Sequence, residues 1–139
     1  MADQVHEPDL LGAAREVSLA AHAPYSGLRV GCVLLDDEGG VHVGCNVENA
    51  SYGLTVCAER SALAAYVAAS GGREPRPALV RAAIWTSGET PLTPCGACRQ
   101  CLHEFAPALA IEIGCENAAA RTLFLNDLLP DAFDGARGG

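Results

Sequence analysis

Two cysteine-bearing helix starts, separated by a single strand, restrict the folding of this chain more than any other feature. VCAERSALAAYVAAS, rich in alanine and closed by Gly71 and Gly72, predicts a long helix with Cys57 in its first turn. The largely apolar ALVRAAIWTS that follows predicts a strand buried on both faces. CGACRQCLHEFA then predicts a shorter helix that begins at Cys95, just after Pro94, and is stopped by Pro107. Thiolates are favoured at helix heads, where unpaired N–H groups and the helix dipole present positive charge. Two such heads emerging from neighbouring strands could meet at one point.

The remaining segments complete the architecture. PDLLGAAREVSLAAHA sets Leu10, Ala14, Val17 and Ala21 on one helical stripe, with Pro8 suited to the first turn. GLRVGCVLLDD and GVHVGCNVE, joined by the turn-forming DDEGG, predict a hairpin. ALAIEIGC and RTLFL add two strands, and LNDLLPDAF a short terminal helix or turn. A hairpin followed by strand–helix–strand units predicts an α/β fold, a five-stranded mixed β-sheet sandwiched between helices. The chain of 139 residues is expected to form a single domain over 1–139, with a loose tail from about 135.

Composition removes several classes of function. The formal charge is −8 and all nine basic residues are arginine, so a phosphate-gripping surface is not expected, nor nucleic acid as a partner. The apolar runs are short and interrupted, so no membrane span is expected. MADQVHEPDL lacks the apolar core of a signal peptide, which points to a cytoplasmic location. Seven cysteines, an odd number, argue against a disulfide framework. Cys32, Cys45 and Cys115 sit in strand-like runs and are expected to be small core residues.

Cys57, Cys95 and Cys98 remain. Three thiolates on Zn²⁺ leave the fourth tetrahedral position open, as catalytic rather than closed structural sites do. Glu59, two residues from Cys57, is poorly placed to join the same coordination but can face that open position. There a carboxylate can take a proton from a water whose pKa the metal has lowered to about 7. Cys-Ala-Glu with a distant Pro-Cys-Gly-Ala-Cys matches the signature of zinc deaminases, with Cys in place of His. Two alternatives stand beside this one: a closed structural zinc site with Cys101 or His103 as fourth ligand, and a redox pair at Cys95 and Cys98. Three thiolates and a hydroxide outweigh the metal's charge, so a cation is expected to hydrogen-bond a sulfur; Arg60 is the first candidate and Arg99 the second.

These residues resemble the small homotetrameric cytidine deaminases. APYSGLRVG, GCNVENASYG, CAER, TPCGACRQ and LLPDAF all fit in order, spanning most of the chain. The resemblance implies one Zn²⁺ per subunit on Cys57, Cys95 and Cys98, with Glu59 as the catalytic proton shuttle. It assigns Asn46 and Glu48 to the ribose 3′-hydroxyl, and the Ala58 N–H and Thr93 carbonyl to the edge of the pyrimidine. Tyr52 would reach into a neighbouring subunit's site and Phe133 would help close one, in a homotetramer with subunit-spanning active sites. Leu28 stands where relatives usually carry a Phe that packs on the base, and Cys32 where an Ala is common.

The implied activity is hydrolytic deamination of cytidine and 2′-deoxycytidine to the uridine forms, a step of pyrimidine salvage. Leu28 raises one rival, a deaminase of a modified cytosine nucleoside such as a nucleoside antibiotic. A non-catalytic structural zinc module is the rival of another class.

Overall fold

The structure, a computed structural model, describes residues 8–135. The elements follow the order α1 (Leu10–Ser18), β1 (Val30–Asp36), β2 (Val41–Cys45), α2 (Ala58–Ala69), β3 (Leu79–Thr86), α3 (Gly96–His103), β4 (Ala110–Cys115), β5 (Ala118–Phe124) and α4 (Leu125–Leu128), with a 3₁₀ turn at Tyr52–Leu54. The five strands form one mixed sheet in the order β2-β1-β3-β4-β5. This is the expected α/β/α arrangement. Apart from Gly135, the tail expected to be loose lies outside the described residues.

The pairing decides where the helix heads point. β1 runs antiparallel to both β2 and β3, in register Cys32↔Gly44 on one side and Cys32↔Ile84 on the other. β2 and β3 therefore point the same way, and their carboxyl ends lie on one edge of the sheet. α2 follows β2 and α3 follows β3, so both helix N-termini open at that edge, the usual place for a ligand in open α/β sheets. β1 begins at Val30 on the same edge, which brings Leu28 there too.

Strand alternation divides the core in two. Cys32, Leu34, Ala82, Ile84, Ile111 and Ile113 face α2 and α3, where they meet Ala62, Tyr66, Leu102 and Leu109. Val33 and Ala83 face the opposite way, against Leu10 and Ala14 of α1. Each fully buried Leu or Ile on the first face is worth about 1.5–3 kcal/mol.

Local chemistry refines the expected boundaries. Asp9, not Pro8, caps α1: its side chain accepts a hydrogen bond from Gly12 N–H at 3.0 Å, and Pro8 lies one residue outside. Ser18 rather than the half-buried Val17 continues the buried stripe, and Ala21 is buried beyond the helix end. α2 ends as its glycines imply, with Gly71 at φ 59° and Gly72 at φ 76°. α3 stops at His103, ahead of Pro107, because Phe105 and Ala106 both turn back to the Leu102 carbonyl. Cys32 and Cys115 are core residues as expected, but Cys45 is only half-buried, since β2 is an edge strand covered on one face.

Candidate metal centre and active site

Cys57 and Cys95 are the N-cap residues of α2 and α3, each in extended backbone just before its helix, and Cys98 lies in the first turn of α3. The sulfurs of Cys57 and Cys95 are 3.8 Å apart and those of Cys95 and Cys98 3.4 Å. All three lie within 4.8 Å of one another. Tetrahedral zinc with Zn–S bonds near 2.3 Å separates its sulfur ligands by about 3.8 Å, so the triangle fits that ion. The donor chemistry fits as well. Cys98 is fully buried, and burial together with the charge of Glu59 pushes its thiol far up, a cost that a divalent cation at the sulfurs reverses.

Among the described residues, no other His, Cys, Asp or Glu joins the triangle. Cys101 and His103 therefore do not close the site as a fourth ligand. Glu59 is also outside the group, in keeping with its position two residues along α2 from Cys57. It lines the adjoining hollow instead. Glu59 is 5% exposed, and burial raises its pKa against the opposing pull of a backbone hydrogen bond, the Cys98 thiol and the Arg60 charge.

Of the two expected cations, only Arg60 faces sulfur. It lies three residues after Cys57, hence on the same side of the helix start, and its Nη2 is 3.8 Å from Cys57 Sγ and 3.5 Å from the Thr55 carbonyl oxygen. Contacts with Cys57 and then Cys98 raise the guanidinium pKa further. Arg99 is turned elsewhere, onto Pro94 O, Leu128 O and Thr93 Oγ1.

The hollow beside the sulfurs has a volume of about 220 Å³. Leu28, Val30, Ile84 and Leu92 give it apolar walls, and Asn46, Glu48, Ala58, Glu59, Thr93, Cys57 and Cys95 also line it. Asn46 is held at both ends of its amide, accepting from Val30 N–H at 2.8 Å and donating to Leu28 O at 2.8 Å. One N–H and one lone pair remain for a ligand. Glu48 accepts from the N–H groups of Tyr25 (2.9 Å) and Ser26 (3.1 Å) and from the Ser26 hydroxyl. The Ser26 hydroxyl and amide are the main causes holding its carboxyl below the usual range. Both residues thus shape the wall of the hollow as well as facing it. Ser26 and Thr55 also line it; Ser26 falls within APYSGLRVG but carries no chemistry that marks it there, and Thr55 lies outside every motif.

Tyr52 and Phe133 lie outside this hollow. Tyr52 is 75% exposed and packs edge-on against Tyr25 beside a second hollow that shares Ser26, Glu48 and Thr55 with the first. Phe133 is 76% exposed, its carbonyl held by Gln100 Nε2 at 2.8 Å.

A triangle of cysteine sulfurs at the carboxyl edge of a mixed sheet, with a buried carboxyl group next to it, is the arrangement of a zinc deaminase. A family model described as the cytidine and deoxycytidylate deaminase zinc-binding region matches residues 6–112, and the chain belongs to that family. It is 41% identical to the cytidine deaminase of Halalkalibacterium halodurans over 125 residues, covering 89% of this chain and 91% of that one. The cytidine deaminase of Mycobacterium tuberculosis H37Rv is 42% identical over 125 residues, covering 89% and 86%. Among solved structures, the Burkholderia pseudomallei cytidine deaminase superposes with a TM-score of 0.81 at 41% identity, covering 96% of this chain and all of that one. The M. tuberculosis enzyme gives 0.75 at 39% identity, covering 91% and 98%.

Proposed function

We propose that this chain hydrolyses cytidine and 2′-deoxycytidine to uridine and 2′-deoxyuridine, releasing ammonia, as a step of pyrimidine salvage. The observation that carries the reading is the convergence of Cys57, Cys95 and Cys98 beside a hollow that Glu59 also lines. Zn²⁺ bound by the three sulfurs supplies a Lewis acid that makes a water molecule acidic enough to act as a nucleophile near neutral pH. Glu59 takes one proton from the attacking water and passes it to ring N3 as the oxygen bonds to C4. It then carries the second proton of that oxygen to the departing amino group, so C4–N breaks and ammonia leaves as the carbonyl forms. Arg60 tempers the negative charge of the thiolates.

Polar groups in the wall of the hollow hold the substrate. Asn46 and Glu48 take the ribose 3′-hydroxyl with the donor and acceptor capacity left to them. Ala58 N–H, one of the unpaired amides of the α2 head, and the Thr93 carbonyl meet the pyrimidine edge. The acidic balance of the chain turns phosphate backbones away, so polynucleotide is not the substrate. Unpaired cysteines throughout the chain suit a reducing compartment, the cytoplasm.

The active unit is a homotetramer. Tyr52 and Phe133 do not line the hollow of their own subunit, and with the exposed Leu54 they supply apolar surface for neighbouring copies. On this reading Tyr52 completes a neighbour's site and Phe133 closes one. One observation favours a second substrate reading: the apolar wall around Leu28 is aliphatic, with no aromatic ring from the described residues lining it. Such a wall forgoes the ring-stacking preference for a plain base, which leaves room for a modified cytosine nucleoside.

An ammonia-release assay across a panel of cytosine nucleosides, with and without a chelator, tests the proposal. Chelator-sensitive release from cytidine is expected. No release from any member refutes the activity, and strong preference for a modified base replaces cytidine as the substrate. Sedimentation of the zinc-loaded protein checks the tetramer.

A further inference from the structure

We propose that Arg99 is a positioning residue of this site: its guanidinium holds the segment that delivers Thr93 and Cys95 and ties it to the end of α4. The inference rests on the deaminase reading for its kinetic arm and on geometry alone for the rest. Nε donates to Pro94 O at 2.7 Å, Nη2 to Thr93 Oγ1 at 3.0 Å and Nη1 to Leu128 O at 2.8 Å. All three guanidinium nitrogens are therefore engaged, on acceptors from two separate parts of the chain.

The segment needs such a hold. Pro91–Cys95 is neither helix nor strand, and Pro91 and Pro94 have no N–H to offer a neighbour. Yet Pro94 is fully buried, Thr93 lines the hollow and Cys95 carries a sulfur of the metal triangle. A planar fork with donors at fixed angles sets three acceptors at once, which a single ammonium cannot do. Gln100, the next residue, binds the Phe133 carbonyl at 2.8 Å, so consecutive side chains of α3 fasten the C-terminal segment on this side. Displacing Arg99 frees Thr93 from its fixed place in the wall and loosens Cys95 at its N-cap.

The test uses the full-length zinc-loaded protein, its Arg99→Ala, Arg99→Lys and Thr93→Val variants and the Thr93→Val, Arg99→Ala double variant, with circular dichroism to choose a temperature at which each is folded. Arg99→Ala is expected to raise KM for cytidine about tenfold with a smaller fall in kcat, and to speed zinc transfer to a colorimetric chelator by a similar factor. Arg99→Lys keeps the charge but restores neither quantity. Thr93→Val gives a smaller rise in KM and adds nothing on top of Arg99→Ala. Wild-type KM and zinc release in Arg99→Ala or Arg99→Lys, with only a lowered Tm, overturn the proposal; so do strictly additive effects of the two sites. If Arg99→Ala does not fold, zinc release from Arg99→Lys and the KM of Thr93→Val decide by the same criteria. A wild-type protein that deaminates no cytosine nucleoside defeats the functional reading instead, and zinc release still decides whether Arg99 holds the Cys95 segment.

Discussion

Gly44 on β2 lies so close to Ala62 on α2 that a methyl group added to Gly44 would overlap the Ala62 amide nitrogen and come within 2.7 Å of the Ala58 carbonyl oxygen. The first turns of α2, which carry Glu59 and follow directly on Cys57, are seated on the sheet through this contact. Gly44→Ala is expected to push α2 outward, costing about 1–3 kcal/mol of stability as overpacked sites do, and to loosen zinc through the displaced Cys57. Thermal melts and chelator competition check both effects. An unchanged Tm with normal zinc retention contradicts the seating.

Glu59 touches the hollow without joining the sulfur triangle, so metal binding and proton transfer separate on mutation. Glu59→Gln is expected to keep stoichiometric zinc while turnover falls about 10²- to 10⁴-fold. Metal analysis alongside steady-state kinetics reads both. Substantial activity in this variant would falsify the proton-shuttle role.

Arg60 is the cation nearest the thiolates, 3.8 Å from Cys57 Sγ, and its Nε is buried without a partner. Arg60→Gln leaves the sulfur charge uncompensated. A loss of about 10- to 100-fold in zinc affinity or activity is expected, the range typical of groups that hydrogen-bond metal ligands. Zinc titration of the metal-stripped protein against a competing chelator provides the measurement.

Asp36 supports the β1–β2 hairpin from inside. Its side chain, 5% exposed, accepts from Glu38 N–H at 2.9 Å and Gly40 N–H at 2.8 Å and pairs with His42 Nε2 at 2.9 Å. Burial alone raises its pKa, but the bonds with His42, Gly40 and Glu38 outweigh burial and hold it below the ordinary carboxylate value. Since the folded value lies below that of the unfolded chain, the stabilisation is complete above the unfolded pKa of about 3.9 and is lost as pH falls through the folded value. Urea midpoints are expected to decline in that acid range. Asp36→Ala should lose about 1.5–3 kcal/mol near neutral pH and show a shallower acid decline. Matching midpoints for wild type and variant at pH 7 count against this account.

The fold and most of the site were legible because their signals are local. The two glycines after α2, the alternating apolar strands and the DDEGG turn each act within a few residues, and the structure places the elements where they indicate. Arg99 is only the second candidate for a sulfur partner in the sequence, which shows no more than that it adjoins Cys98. Its direction is set by acceptors at Pro94, Thr93 and Leu128, the last contributed by a segment 29 residues away. Cys45 was assigned to the core because VHVGC reads as any strand does, and the exposure of one side of β2 follows from its place at the sheet edge. Ser26, which donates to Glu48 at the wall of the hollow, sits in a loop with no periodicity to mark it.

By itself the sequence determined which segments become helices and strands, that Cys57 and Cys95 stand at helix heads, and that the chemistry available there is thiolate and carboxylate. Those properties depend on caps, turns and hydrophobic period, all of which act over one or two turns of chain. Only the tertiary structure decided that the heads converge: β1 pairs antiparallel with both β2 and β3, turning their carboxyl ends to one edge and bringing sulfurs 38 residues apart in sequence to 3.8 Å. It also decided which arginine meets sulfur and how closely α2 approaches Gly44. Long-range strand pairing and close packing set these relationships, and neither leaves a periodic trace in the chain.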